Sequence, residues 1–244
     1  MALPTSFLVH LRELGYHSRS DKHSKALMEA VVGALMAHCP QIASEAKSGN
    51  LVFQHNHDVM VGHETWNTDL AIGLPATGEG DSRATVHGMR RGTPTTVRIA
   101  IEAKSVMTEH RKAVKNRKRD LEAHHAHVHD YDPQTIAGGI VLINSASKFQ
   151  SPLRPELTIH KEPLELVKHC VGELSSLTMT SGTSHAGLDA NCVVVVDMPN
   201  LKLETLPPYS ADWMTQTPAP TPGSPLYWDA FIQRICQLYS ARFK

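Results

Sequence analysis

VRIAIEAK, running from Val97 to Lys104, carries the pattern from which the architecture is built up. It alternates and is rich in β-branched residues, the pattern of a strand with Val97, Ile99, Ile101 and Ala103 on one face. Arg98, Ala100, Glu102 and Lys104 take the other face. Side chains two apart on a strand lie roughly 7 Å apart along one face, so Glu102 and Lys104 are an acid and a base held side by side. A strand this apolar is expected to be buried, and a buried carboxylate and ammonium need a physical reason. A metal site supplies one.

Working outward, the segment WNTDLAIGLP ends in a second strand on which Leu70, Ile72 and Leu74 face one way. Asp69, Ala71 and Gly73 face the other, so the aspartate sits on a face of small residues with room beside it. An earlier strand is expected over Asn50 to His55. Between Leu74 and Val97 runs PATGEGDSRATVHGMRRGTPTT, a long loop with a small hairpin around ATVHGM, and it carries Arg90 and Arg91. After Lys104 the pattern becomes a helix from Glu109 to His129, broken at Asp132-Pro133, and then the apolar buried strand TIAGGIVLIN, Thr135 to Asn144.

Upstream, a short helix over Ser6 to Leu14 is stopped by Gly15. Ser20 or Asp21 caps a strong helix that runs to Pro40, and Pro40 opens the short helix QIASEAK. Downstream, residues 151–162 read as a proline-punctuated loop, residues 163–177 as an amphipathic helix and Asn191 to Asp197 as a strand. Thr215 to Pro225 reads as a linker too poor in apolar residues to pack deeply. In the last helix, Tyr227 to Arg242, the residues Trp228, Phe231, Ile232, Ile235 and Leu238 form an apolar stripe. The expected architecture is α/β, a mixed central sheet flanked by helices, in a single domain over residues 1–244 with a core at about 22–144 and additions over 145–244.

Lys plus Arg equals Asp plus Glu at 24 each, so overall charge announces no nucleic-acid partner and local clustering must make that case. One cluster does. HRKAVKNRKRD, His110 to Asp120, holds six cations, Arg111, Lys112, Lys115, Arg117, Lys118 and Arg119, before its first acid. Arg111, Lys115 and Lys118 fall at i, i+4, i+7, one helical stripe. Cys39, Cys170, Cys192 and Cys236 are far apart with no C-x-x-C pair, which argues against a zinc ribbon and a disulfide scaffold and favours a reducing, cytoplasmic compartment. No signal peptide or membrane span is expected, since no window approaches 18 apolar residues. His125 and His129 share a helix face and could bind zinc, but no further ligand is evident nearby, and a solvated or DNA-facing helix end is the simpler reading.

Asp69 with Glu102 and Lys104 makes a hard-cation site of the kind that suits Mg²⁺, and metal-assisted displacement at a phosphodiester is the chemistry it suggests. These residues resemble the PD-(D/E)XK nucleases, and among them the type II restriction endonucleases. Asp69 matches the first acid and Glu102-Ala103-Lys104 the E-x-K half, and the order helix, three strands, helix, strand matches the shared αβββαβ core. Thr68 stands where the family name has proline, and the 33 residues from Asp69 to Glu102 make the long loop an insertion in the hairpin.

The resemblance implies Mg²⁺-dependent, site-specific cleavage of double-stranded DNA leaving 5′-phosphates, by a homodimer, alongside a cognate DNA methyltransferase acting on the same site. It also implies a further acid on the helix before the sheet. Glu29 is preferred for it over Glu45 and Glu64, because its helix is the longest and best defined. Arg90 and Arg91 are expected at groove or phosphate contacts, arginine being suited to guanine. A repair or structure-selective nuclease on the same core, and a non-catalytic nucleic-acid-binding protein, are the alternatives.

Overall fold

The computed structural model describes residues 5–76, 84–180, 186–200 and 216–244. Residues 77–83 of the inserted loop and Thr215 of the linker lie outside the described residues. Helices α1 (Thr5–Leu14), α2 (Lys22–His38) and α3 (Pro40–Lys47) come first, and Gly15, at φ +62°, ends α1 as expected. Strands β1 (Val52–Val61) and β2 (Glu64–Pro75) follow. They pair antiparallel from Val52↔Gly73 to Val61↔Glu64, so both run longer than their apolar cores suggest. Chain pairing and the turn at Gly62, φ +61°, decide that length.

The small hairpin in the inserted loop is β3 (Thr85–Val86) and β4 (Met89–Arg91), and β5 runs Pro94–Val106. After α4 (His110–Tyr131) come β6 (Ile136–Asn144), β7 (Lys148–Gln150), β8 (Leu157–Ile159), α5 (Pro163–Ser175), β9 (Ala190–Val196) and α6 (Trp228–Arg242). Where residues 151–162 read as loop, β8 pairs back onto β7 in a two-stranded ribbon.

The main sheet has seven strands in the order β3-β4-β1-β2-β5-β6-β9. β1, β2 and β5 are antiparallel neighbours, whereas β6 and β9 run parallel to β5. Parallel strands are covered on both faces and need apolar residues throughout, which is why every residue of β6 and β9 is buried. Leu27, Val31 and Leu35 of α2, Ile42 of α3 and Phe231, Ile232 and Ile235 of α6 pack with Ile99 and Ile101 on one face. Val114, Leu121 and Val128 of α4 and Val167, Cys170 and Leu174 of α5 pack with Ala100 and Val141 on the other. The protein is therefore a mixed α/β structure with helices on both faces of a central sheet.

One break in alternation moves two residues of β5. Between Ile72↔Ile99 and Gly73↔Val97 the register shifts by one residue, leaving Arg98 as the extra residue of a β-bulge. Val97 therefore joins the α4 face instead of sharing Ile99's face, while Arg98 turns to Glu45 and Tyr239 on the α3/α6 side. Gly73 is needed there, because a Cβ would come within 1.9 Å of the Thr96 carbonyl oxygen. From Ile99 onward the expected faces hold.

Cys39 and Cys236 form a disulfide with Cα atoms 5.3 Å apart, joining the α2–α3 junction to α6 across 197 residues. This bond departs from the expectation of cysteines without a disulfide framework and removes the ground for inferring a reducing compartment. Cys170 and Cys192 remain free and buried. The linker also packs more than its composition suggests, with Ala219 buried against the α4/α5 face. Among the described residues no single helix is long and apolar enough to cross a membrane.

Candidate functional site

β2 and β5 stay paired only as far as Leu70↔Ile101. Beyond that point side chains replace the backbone ladder. Thr68 Oγ1 donates to the Ile101 carbonyl at 2.9 Å, and the Ala103 N–H donates to Asp69 Oδ2 at 2.8 Å. Glu102 lies between those two anchored residues. Its Oε1 is paired with the Lys104 ammonium, and its Oε2 is buried with no partner.

Burial, reinforced by the nearby Asp69 charge, pushes the Glu102 carboxyl up to about 7 despite Lys104. Burial likewise raises Asp69, against the opposing pull of the Ala103 N–H and Lys104. Two carboxylates crowded beside one ammonium leave a negative charge that a hard cation would relieve. The unpartnered Glu102 oxygen together with Asp69 fits the one or two protein carboxylates by which Mg²⁺ is usually held. Among the described residues no three His, Cys, Asp or Glu side chains converge.

Asp69, Lys104 and Ser105 line a cleft of about 240 Å³ with Tyr16, Ser24 and Arg117. Tyr16, Ser105 and Arg117 also border a second hollow of about 460 Å³, which continues past Asn116 and Lys112 to Arg154. The two form one groove, and its cations are Lys104, Arg117, Lys112 and Arg154. Comparison with protein-family models, with curated proteins and with solved structures gives no match.

The structure brings Asp69, Glu102 and Lys104 together and disperses several other expected site residues. Glu29 forms an ion pair with Arg91, and Arg91 also lies over the Phe53 ring, so neither lines the groove. Glu45 binds Arg98 and Tyr239, and Glu64 is exposed at the start of β2. Arg90 is opposite Val52, which pairs with Gly73 at the end of β2 remote from Asp69. On α4 the sheet-facing stripe is Val114, Leu121 and Val128, which places Arg117 on the groove side. Lys118, on the opposite flank, bonds Ser176 just beyond α5 at 2.8 Å. The expected stripe of Arg111, Lys115 and Lys118 therefore gives way to Lys112 and Arg117. Lys115 and Arg119 are exposed and line neither hollow.

Of the histidines at the end of α4, His124 and His129 are buried and His125 and His127 are half-buried. His124 is buried beside Trp66, and burial lowers its ring to about 3. His127 stacks on Trp66, and His129 bonds Asp189 at 3.1 Å. Arg154 escaped the sequence reading because the aperiodic stretch around it carries no signal of where the β7–β8 ribbon folds back.

Proposed function

We propose that the protein is a Mg²⁺-dependent endonuclease on a PD-(D/E)XK core, of the type II restriction kind, cutting double-stranded DNA at a specific site to leave 5′-phosphates. The observation that carries the reading is the Asp69–Glu102 pair, in which Glu102 is buried with one carboxylate oxygen unpartnered and Asp69 lines a groove with four cations. The element order supports it as well, since α2, antiparallel β1, β2 and β5, then α4 and a β6 parallel to β5, follow the order of that core.

Asp69 and Glu102 would hold the ion. Bound there, Mg²⁺ supplies Lewis acidity toward the phosphoryl oxygens and toward an attacking water. The remaining work belongs to the chain's own groups. Lys104 keeps an ammonium where negative charge builds on the phosphoryl group, and its counter-charge in the resting state is Glu102. Arg117, Lys112 and Arg154 neutralise backbone phosphates and hold the strand along the groove. Cutting both strands calls for two active sites, hence a homodimer, and protection of the host's own sites calls for a cognate methyltransferase.

The test is a digest of unmethylated DNA of known sequence with Mg²⁺, with and without EDTA, followed by mapping of the ends. Discrete, EDTA-sensitive fragments carrying 5′-phosphates are expected. Cutting confined to branched DNA would turn the reading toward repair, and binding without cleavage under any condition would sink it.

A further inference from the structure

Thr68 is completely buried on a strand whose neighbours at 67 and 69 are not, and its hydroxyl makes its shorter bond across to β5. In a regular antiparallel ladder the pairs after Leu70↔Ile101 would be Asp69 with Glu102 and Thr68 with Ala103. Neither pair forms. Opposite Asp69 on β1, the pairing also skips from His55↔Leu70 to His57↔Thr68, and the skipped Asn56 has φ +49°. The backbone of β2 therefore departs from β5 just where the carboxylates stand. The Ile101 C=O and Ala103 N–H, which would otherwise be left as costly buried orphans, are met by the side chains of Thr68 and Asp69.

The consequence falls on Glu102. Its peptide is held on the N-terminal side through Ile101 and on the C-terminal side through Ala103, by two consecutive residues of another strand. Only one of those two holds belongs to a group that would also bind the cation, namely Asp69. We propose that Thr68 is a positioning residue, its hydroxyl fixing the separation of Glu102 from Asp69 by clamping the Ile101 carbonyl. This rests on the nuclease reading of the same site. A divalent ion needs both carboxylates at bonding distance together, so a loosened Glu102 lowers ion affinity even though Thr68 touches no ligand.

The experiment compares wild type, Thr68→Val and Thr68→Ser. Direct Mn²⁺ binding is followed by electron paramagnetic resonance, and the Mg²⁺ concentration for half-maximal cleavage, DNA affinity in EDTA and thermal unfolding are also measured. Thr68→Val keeps the shape and loses the donor. It is expected to weaken Mn²⁺ binding and raise the Mg²⁺ requirement by about 10-fold, the low end of the range for a group that orients a metal ligand. DNA affinity in EDTA stays at the wild-type value.

Thr68→Ser restores the donor and is expected to recover ion affinity to within about twofold of wild type, a difference well below the effect of losing one hydrogen bond. Thr68→Ala, which also lacks the hydroxyl donor, gives the same comparison if the valine variant folds poorly. Wild-type Mn²⁺ affinity in a folded Thr68→Val protein, or no recovery with serine, overturns the clamp while leaving the nuclease reading standing. A wild type that neither binds Mn²⁺ nor cleaves DNA overturns both.

Discussion

Among the described residues, the carboxylate of Asp189 and the pair at Asp69 and Glu102 are treated in opposite ways. Asp189 precedes β9 with its side chain fully enclosed, and every oxygen is answered. Arg242 of α6 reaches both oxygens at 2.6 and 3.0 Å, Thr180 donates at 2.8 Å, the Ala137 N–H at 2.9 Å and His129 at 3.1 Å. Burial alone would raise its pKa, but the hydrogen bonds from His129 and Arg242 and the Ala137 N–H overcome that and hold the carboxyl well below the usual range. Asp69 and Glu102 have fewer donors, each other's charge and an unpartnered oxygen, and both are raised. The first arrangement ties α4, β6, β9 and α6 into one body. The second is left incomplete by the fold, and an incomplete buried charge is where a ligand has most to gain.

The sharpest break of this contrast is by deletion. Asp69→Ala, Glu102→Ala and Lys104→Ala are each expected to cut cleavage about 10³-fold or more, the scale of losing several kcal/mol of charge stabilisation. Glu102→Ala and Lys104→Ala should unfold near the wild-type temperature, whereas Asp69→Ala leaves the Ala103 N–H unpaired and should cost about 1–3 kcal/mol. Asp189→Ala should do the reverse. It strands Arg242 and His129 and is expected to cost about 3–5 kcal/mol in denaturant unfolding, with cleavage per folded molecule retained. A stable Asp189→Ala protein would show that the second cluster is not a structural tie.

Acid titration separates the two next. Glu102 binds its proton more tightly when folded, from about 4.5 up to about 7, so the metal-free protein should lose stability as pH rises through that window. Glu102→Gln should remove this dependence and be the more stable protein at pH 8 by up to about 3 kcal/mol without metal. Mg²⁺ should stabilise wild type and not the variant. Asp189, with its lowered pKa, contributes stability that is present above the ordinary aspartate range and lost as pH falls through its folded value. An Asp189→Asn variant should therefore have a flatter acid limb in a melting-versus-pH series.

The smallest expected effect concerns the groove. Lys112→Ala with Arg117→Ala should lower the salt slope of DNA binding by about two, and Arg111→Ala with Lys118→Ala should leave it unchanged. Equal slopes for both pairs would place the DNA elsewhere on α4.

How much of this was legible follows from the range of each interaction. The alternation of VRIAIEAK put Glu102 and Lys104 on one face, and that held because strand geometry is set by nearest neighbours. Arg98 and Val97 went to unexpected faces because a bulge is decided by the partner strand, through Gly73. The charge run of α4 could be read directly, but choosing Lys112 and Arg117 over Lys118 required knowing which flank α5 would cover. Glu29 resembled a site acid only until Arg91, 62 residues later, was folded against it.

Local sequence suffices for the helices, the strands of the main sheet, most of the apolar faces that build the two halves of the core, and the three residues of the candidate site. Periodicity and turn chemistry are local, and a few residues of chain carry them. Folding of distant segments together is what makes Thr68 meet the Ile101 carbonyl, Cys39 find Cys236 and Arg154 line the groove, leaves Asp189 fully paired, and sets the β7–β8 ribbon and the faces of Val97 and Arg98. Those depend on where separate segments come to rest, and on which buried polar groups the packing leaves satisfied.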